Sequence, residues 1–277
     1  VRHIRVTLLK DIDKIQGSKY VHSHMYDIYK QVEYDLKKNI PIVFIGTPCQ
    51  IAGVLCYLNY IPDNLILIDI LCHGVSSLDC FLCGINLETK KAVSSVSFRD
   101  GNKYCLKGYD NGGKYIFKTP YRASYWLNGF VEGYIFRENC YSCKYAGKNR
   151  CGDITIGDFW GLKNDYDISK GVNLVAINSD KGMELWEKIS NSFIFEERKL
   201  EEAIPYNHPL RESAHKPVKY DRFCNIYNDK GGIKALIKAY PNKTLYIWLR
   251  RIVRKNKKLY RIMTEIPLVG NKLKDYS

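Results

Sequence analysis

The sequence has no uninterrupted apolar run of ~20 residues, so nothing in it reads as a membrane-spanning helix. No G-x-G-x-x-G follows a strand, so an ordinary dinucleotide-binding fold has no support. Internal repeats and low-complexity tracts are missing, and no repeat architecture is expected. The chain opens on Val1 with "VRHIRVTLLKD", which looks like an interior strand, so a processed or truncated piece lacking an N-terminal portion is expected. A secreted disulfide scaffold would be smaller and carry a leader. The ten cysteines in 277 residues therefore point to a reducing, cytoplasmic setting in which some of them bind metal.

Apolar residues make up 45% of the chain, enough for a normal core. The net charge of +14 is uneven. From Gly231 to Ser277 twelve Lys or Arg face only Glu265 and Asp275, which leaves about +4 for the rest. The basic character belongs to the tail.

"IVFIGTPCQIAG", Ile42 to Gly53, sets a cysteine where a strand turns into a helix. Ile42 to Ile45 read as a buried strand, Gly46 permits a tight turn, and Pro48 suits the first helical turn. Cys49 would then sit near unpaired N–H groups and the positive end of a helix dipole, which stabilises a thiolate. "NLILIDILCHG" is a second buried strand ending at Cys72. The strand–helix–strand order predicts a parallel arrangement with Cys49 and Cys72 at carboxyl strand ends, the edge where such sheets bind ligands. "VRHIRVTLL" is expected as a strand and "SKYVHSHMYDIYKQVEYDLKK" as a helix. "VSSVSFRDGNKYCLKGYDNGGKYIFKTP" reads as antiparallel hairpins with Asn/Asp/Gly turns. A short aromatic helix, a cysteine knuckle, the strand "DITIGD", and a strand, turn and helix in "NLVAINSDKGMELWEKI" follow. The fold expected is α/β, a partly parallel sheet with an antiparallel hairpin insertion and a basic α-helical C-terminal appendage. The boundary is drawn between 1–213 and 214–277.

Two C-x-x-C pairs occur, Cys80–Cys83 and Cys140–Cys143. Cys80 and Cys83 stand one helical turn apart in "LDCFLCGI" and read as part of a packed helix. With Cys56, Cys105 and Cys224 they are read as small buried hydrophobes. On its residues alone, Cys140–Cys143 is compatible with zinc, an iron–sulfur cluster or a redox dithiol. Cys151 brings no neat second pair, and His73 beside Cys72 leaves a mixed zinc site open.

"SKYVHS", "GTPCQIAG", "DILCHGVSS", "SFRDG" and "CYSCKYAGKNRCGDITIGDFWG", in this order, resemble the beta-subunit family of coenzyme F420 hydrogenases and dehydrogenases. The nearer likeness is to the branch associated with polysaccharide biosynthesis, and it covers roughly Val1 to Ser213. The resemblance implies an FAD- and 4Fe-4S-containing oxidoreductase. It further implies that Cys49, Cys72, Cys140 and Cys143 supply four thiolates to one 4Fe-4S cluster, with Cys151 a reserve ligand or an incidental thiol.

For FAD the candidates are Ser18, Lys19, Ser23, Gly46, Thr47, Arg99 and Asp158. Gly46 and Thr47 form a phosphate-friendly turn at a helix start, and Lys19 offers a positive charge for a flavin pyrimidine ring. Trp160 is read as core. The expected partners are an electron-donor protein, or a missing ferredoxin-like module ahead of Val1, and a small-molecule or glycan-precursor substrate. Whether coenzyme F420 is that substrate is left open.

"KTLYIWLRRIVRKNKKLYRIM", Lys243 to Met263, reads as a basic amphipathic helix. Leu245, Leu249, Ile252, Leu259 and Met263 form its apolar side, flanked by Trp248 and Val253. It either packs on the domain or attaches the protein peripherally to an anionic membrane; a nucleic-acid role is not expected. The rival from another class is a non-enzymatic, zinc-stabilised scaffold in a membrane-associated polysaccharide assembly pathway.

Overall fold

The computed structural model describes residues 1–101, 103–162 and 171–256, except for the side chains of Asn242, Lys243, Arg254 and Lys255. In chain order the elements are α1 (Ile28–Lys37), β1 (Ile42–Gly46), α2 (Pro48–Leu58), β2 (Leu65–Ile70), α3 (Leu78–Glu88), β3 (Ser95–Asp100), β4 (Lys103–Tyr109) and β5 (Tyr115–Pro120). Next come α4 (Tyr125–Val131), β6 (Ile154–Asp158), β7 (Asn173–Ile177), α5 (Asp180–Ile189), α6 (Leu200–Ala203), α7 (Tyr220–Lys230), α8 (Gly232–Lys238) and α9 (Pro241–Lys255). The chain divides into two compact units interleaved in sequence.

The first unit comprises Val1–Asp13, Ser23–Gly74 and Glu138–His215. Its sheet has the order β1-β2-β6-β7; β1, β2 and β6 run parallel, and β7 is antiparallel to β6. Phe44, Leu65 and Leu67 pack with Ile28, Val32 and Leu36 of α1 and with Ile51, Val54 and Leu58 of α2. At about 25 cal/mol per Å2 of apolar surface removed from water, such a cluster supplies the main drive to form the layer. A second cluster joins Leu71, Leu174, Ala203 and Leu210. Contrary to the expectation of a buried strand, β1 lies at the sheet edge and leaves Val43 and Ile45 exposed. A continuous apolar run does not by itself require burial on both faces.

The opening departs further from expectation. "VRHIRVTLL" contributes an isolated bridge, Arg2 to His24, and Leu9–Lys14 forms a 3-10 helix. The helix expected from Ser18 begins only at Ile28, because Tyr26 adopts a φ of 40° that right-handed helix excludes. In the last strand–helix pair, the Asp and Gly expected in a turn lie inside α5. Ser179 is its N-cap and accepts from Gly182 N at 3.1 Å.

The second unit comprises Lys14–His22, Val75–Arg137 and the described part of Lys216–Ser277. The hairpins form an antiparallel sheet, β3-β4-β5, as the turn residues predict. Asp110 closes one turn by accepting from Gly112 N and Lys114 N at 3.0 and 2.8 Å. Trp126 of α4 is wholly buried against Phe81 and Phe98, and its indole N–H donates to Ser76 Oγ at 3.1 Å. The C-terminal helices share this core, where Tyr220 Oη donates to Phe136 O at 2.8 Å. Among the described side chains of α9, Ile247 and Val253 are buried, and Arg251 pairs with Glu88 at 2.9 Å. Leu245, Trp248, Leu249 and Ile252 are exposed, so the stripe that packs is not the one the spacing singled out. Leu259, Met263 and the basic residues from Lys257 onward lie outside the described residues. Among the described residues no helix is long and apolar enough to cross a membrane.

Candidate metal centre

All of the cysteines expected to bind metal belong to the first unit. Cys49 is the second residue of α2 and is exposed. Thr47 and Gln50 form a capping box at that helix start, and Thr47 Oγ1 lies 3.1 Å from Cys49 Sγ. Behind the turn runs a polar relay. Gln50 Nε2 donates to Ser23 Oγ at 2.9 Å, and Ser23 Oγ meets His3 Nδ1 at 2.9 Å. His3 Nε2 faces Ile45 O at 3.2 Å, so the proton sits on Nε2 and Nδ1 accepts. Burial holds the His3 pKa below the usual histidine range.

Cys72 follows the end of β2. Burial pushes its thiol up to about 12; the Gly74 N–H opposes that shift, and charge on Cys140, Cys49 and Cys143 adds to it. Cys140 ends a 3-10 turn at Glu138–Cys140, and Cys143 stands in the turn after it, both part-buried. The structure thus sets Cys72 within electrostatic reach of the other three. The Cys151 thiol is raised by burial and by Asp69, with smaller contributions from Cys143 and Cys49, so it borders the same group. Of the cysteines read as buried hydrophobes, Cys80 and Cys105 are buried and Cys83 and Cys224 part-buried. Cys56 is exposed, and it borders the Cys49 side: both thiols act on Tyr29 and Tyr145.

Spacing bears on what the thiols could hold. With Zn–S near 2.3 Å, a tetrahedral zinc site brings its sulfurs to about 3.8 Å of one another. Among the described residues, neither the cysteines nor His73 supply three ligand atoms within 4.8 Å of one another. A cubane spreads its sulfurs wider, because each binds a different iron.

The sequence reading missed what fastens this loop. Asp69 and Arg150 form an ion pair at 2.8 Å with both side chains almost completely buried. Asp69 Oδ2 also accepts from Cys151 N and Gly152 N at 3.2 and 3.0 Å. Arg150 donates to Tyr145 O, Gly147 O, Ile70 O and Thr155 Oγ1 at 3.2 to 3.4 Å, tying the stretch between Cys143 and Cys151 to β2 and β6. Asp153 completes the lacing: its Oδ2 accepts from Leu67 N at 2.8 Å and its Oδ1 from Ser179 Oγ at 2.6 Å. One signal was available, an aspartate inside the apolar strand "LILIDI", which demands a buried partner.

The flavin candidates divide between the units. Ser23, Gly46, Thr47 and Asp158 belong to the first; Ser18, Lys19 and Arg99 belong to the second. Lys19 Nζ donates to the carbonyls of Gln16, Gly17 and Ile15 at 2.5, 3.1 and 3.2 Å. Arg99 Nε donates to Tyr20 Oη at 2.8 Å, and its guanidinium lies 3.8 Å from the centre of the Tyr104 ring. Asp158 ends β6 opposite Asn173.

Comparison with known proteins gives one family match. Residues 41–203 match the model for the C terminus of the coenzyme F420 hydrogenase/dehydrogenase beta subunit. No curated protein matches. Among solved structures, the chain is similar to one in the F420-reducing nickel–iron hydrogenase complex from Methanosarcina barkeri. The identity is 16%, 90% of this chain and 72% of that chain are covered, and the TM-score is 0.46.

Proposed function

The chain belongs to the coenzyme F420 hydrogenase/dehydrogenase beta-subunit family, and from that premise we propose that it is an electron-transfer subunit holding a 4Fe-4S cluster on Cys49, Cys72, Cys140 and Cys143. The observation that carries the reading is that charge on Cys140, Cys49 and Cys143 acts on the thiol of Cys72. Cys49 and Cys72 follow the ends of β1 and β2, the edge where α/β folds place their ligands, and charge on Cys140 and Cys143 acts on the Cys72 thiol.

The cluster, when bound, supplies one-electron transfer. The chain's own residues prepare the place for it. Cys49 lies in the first turn of α2, at the positive end of the helix dipole, and the Gly74 N–H favours the thiolate of Cys72. A thiol raised by burial and by neighbouring charge stays protonated without metal and gives up its proton when a cation neutralises the group. The Asp69–Arg150 pair carries no net charge and holds the loop against β2 and β6.

Anaerobic purification and metal analysis test the proposal. Brown protein with broad absorption near ~400 nm and iron in excess of zinc is the expected result. Colourless protein containing zinc would favour the scaffold reading instead. Heat release of a yellow, fluorescent cofactor from the same sample would add FAD independently of the iron.

A further inference from the structure

Beyond the matched segment, one stretch assembles a different set of donors. We propose that His208, Glu212 and His215 bind a divalent transition-metal ion of the zinc class, leaving a fourth coordination position open to water or an added ligand. Among the described residues this is the one group of three or more ligand atoms that all lie within 4.8 Å of one another. His208 Nε2 and His215 Nε2 stand 3.7 and 3.5 Å from the same carboxylate oxygen, Glu212 Oε1. Both separations exceed an N–H···O hydrogen bond, which spans 2.7–3.2 Å. They approach the edge of a tetrahedral site: metal–nitrogen and metal–oxygen bonds of 2.0–2.2 Å set neighbouring ligands about 3.4 Å apart. Two imidazoles and one carboxylate suit zinc and its neighbours, and the lack of a thiolate disfavours softer ions.

The backbone is held before any ion arrives. His208 opens a 3-10 turn whose Pro209 and Leu210 are buried. Glu212 N donates to His208 O at 3.1 Å, which keeps the two side chains on one side of the turn. The His208 and His215 rings meet edge to face, 5.3 Å apart. The side chain of His215 is 77% exposed, so an ion reaches the donors directly from water. The same stretch is fastened to the cysteine loop: Gly147 N donates to Pro209 O at 2.9 Å, and Ser213 Oγ donates to Tyr141 O at 3.0 Å.

The test compares the full chain with Glu212→Gln and with the double variant His208→Ala/His215→Ala. All three keep every cysteine, so thiol-bound metal is common to them. Dialysed against Zn2+, the unchanged chain should retain one equivalent more than the double variant, and Glu212→Gln should weaken that equivalent at least ~10-fold. Co2+ in place of zinc should add a visible ligand-field band without sulfur charge transfer, absent from the double variant. Far-UV circular dichroism and iron content should be the same in all three. Equal zinc and an unchanged cobalt band across the set would overturn the proposal. So would an extra equivalent whose cobalt spectrum shows sulfur charge transfer alone.

Discussion

Replacing Arg150 with methionine removes one charge of a buried pair and keeps most of the side-chain volume. The change deletes the bonds to Asp69 at 2.8 and 3.3 Å and the bonds to Tyr145 O, Gly147 O, Ile70 O and Thr155 Oγ1. Asp69 is then left buried, facing only the Cys151 and Gly152 N–H groups. Breaking a buried pair from one side costs about 3–5 kcal/mol. That cost falls on the segment between Cys143 and Cys151 rather than on the α1/α2 core, so the loop should open locally before the unit unfolds. At 1.4 kcal/mol per factor of ten, opening becomes roughly a hundred- to few-thousand-fold more frequent. Pulsed alkylation of the reduced, metal-free chain, read peptide by peptide, should show Cys72 labelling faster by that factor. Cys80, buried in the other unit, should keep its rate. Arg150→Lys keeps the charge but loses the guanidinium fork, and should fall between the two. A Cys72 rate within threefold of the unchanged chain, or equal acceleration of Cys80, would refute the reasoning.

Three further expectations rest on other parts of the molecule. A Cβ at Gly152 would lie 2.8 Å from Asp69 N and 2.9 Å from Leu67 O, both backbone atoms; Gly152→Ala should therefore cost about 1–3 kcal/mol, seen as a lowered Tm of the first unit. Asp100 accepts hydrogen bonds from Lys107 and Lys118, which depress its pKa from 3.8 to about 2. A depressed carboxylate stabilises the folded form above its unfolded pKa, and that contribution disappears as the pH falls from 3.8 through 2. Carboxyl carbon NMR should find the low titration and its return toward 3.8 when both lysines become methionine. On α9 the exposed Leu245, Trp248, Leu249 and Ile252 lie among basic residues. Sedimentation with anionic liposomes should fall with added salt and vanish on removal of Lys243 onward, whereas equal binding to neutral liposomes would exclude the membrane reading.

Much of the sheet was readable because its signals are local. Ile42 to Ile45 followed by Gly-Thr-Pro specify β1, a cap and α2, and the Asn/Asp/Gly turns specify the β3-β4-β5 hairpins. Where long-range contacts decide, the reading failed. Ser18 to Met25 carry helical spacing, yet they run extended, because Val21 bridges Ser76 and His24 bridges Arg2. In α9 spacing alone could not tell which of two apolar stripes packs; the pairing of Arg251 with Glu88 goes with burial of Ile247 and Val253. The cysteines at strand ends were legible from their turns. Arg150 was not, since its partner Asp69 lies 81 residues away and neither residue belongs to a metal-binding pattern. His208, Glu212 and His215 escaped for a different reason: their spacing of four and three suits one face of a helix, but no helix was expected there, and it is the 3-10 turn at His208–Leu210 that begins the stretch holding them together.

The central claim is tested most directly by iron content per chain, measured after anaerobic reconstitution of single cysteine-to-serine variants. Cys49→Ser, Cys72→Ser, Cys140→Ser and Cys143→Ser should each lose iron and bleach, because each thiolate supplies one of four bonds. Cys56→Ser and Cys224→Ser should keep the iron of the unchanged chain. Loss of iron in Cys151→Ser together with retention in Cys72→Ser would contradict the account, since the ligand set would then be built around Cys151 and not around Cys72.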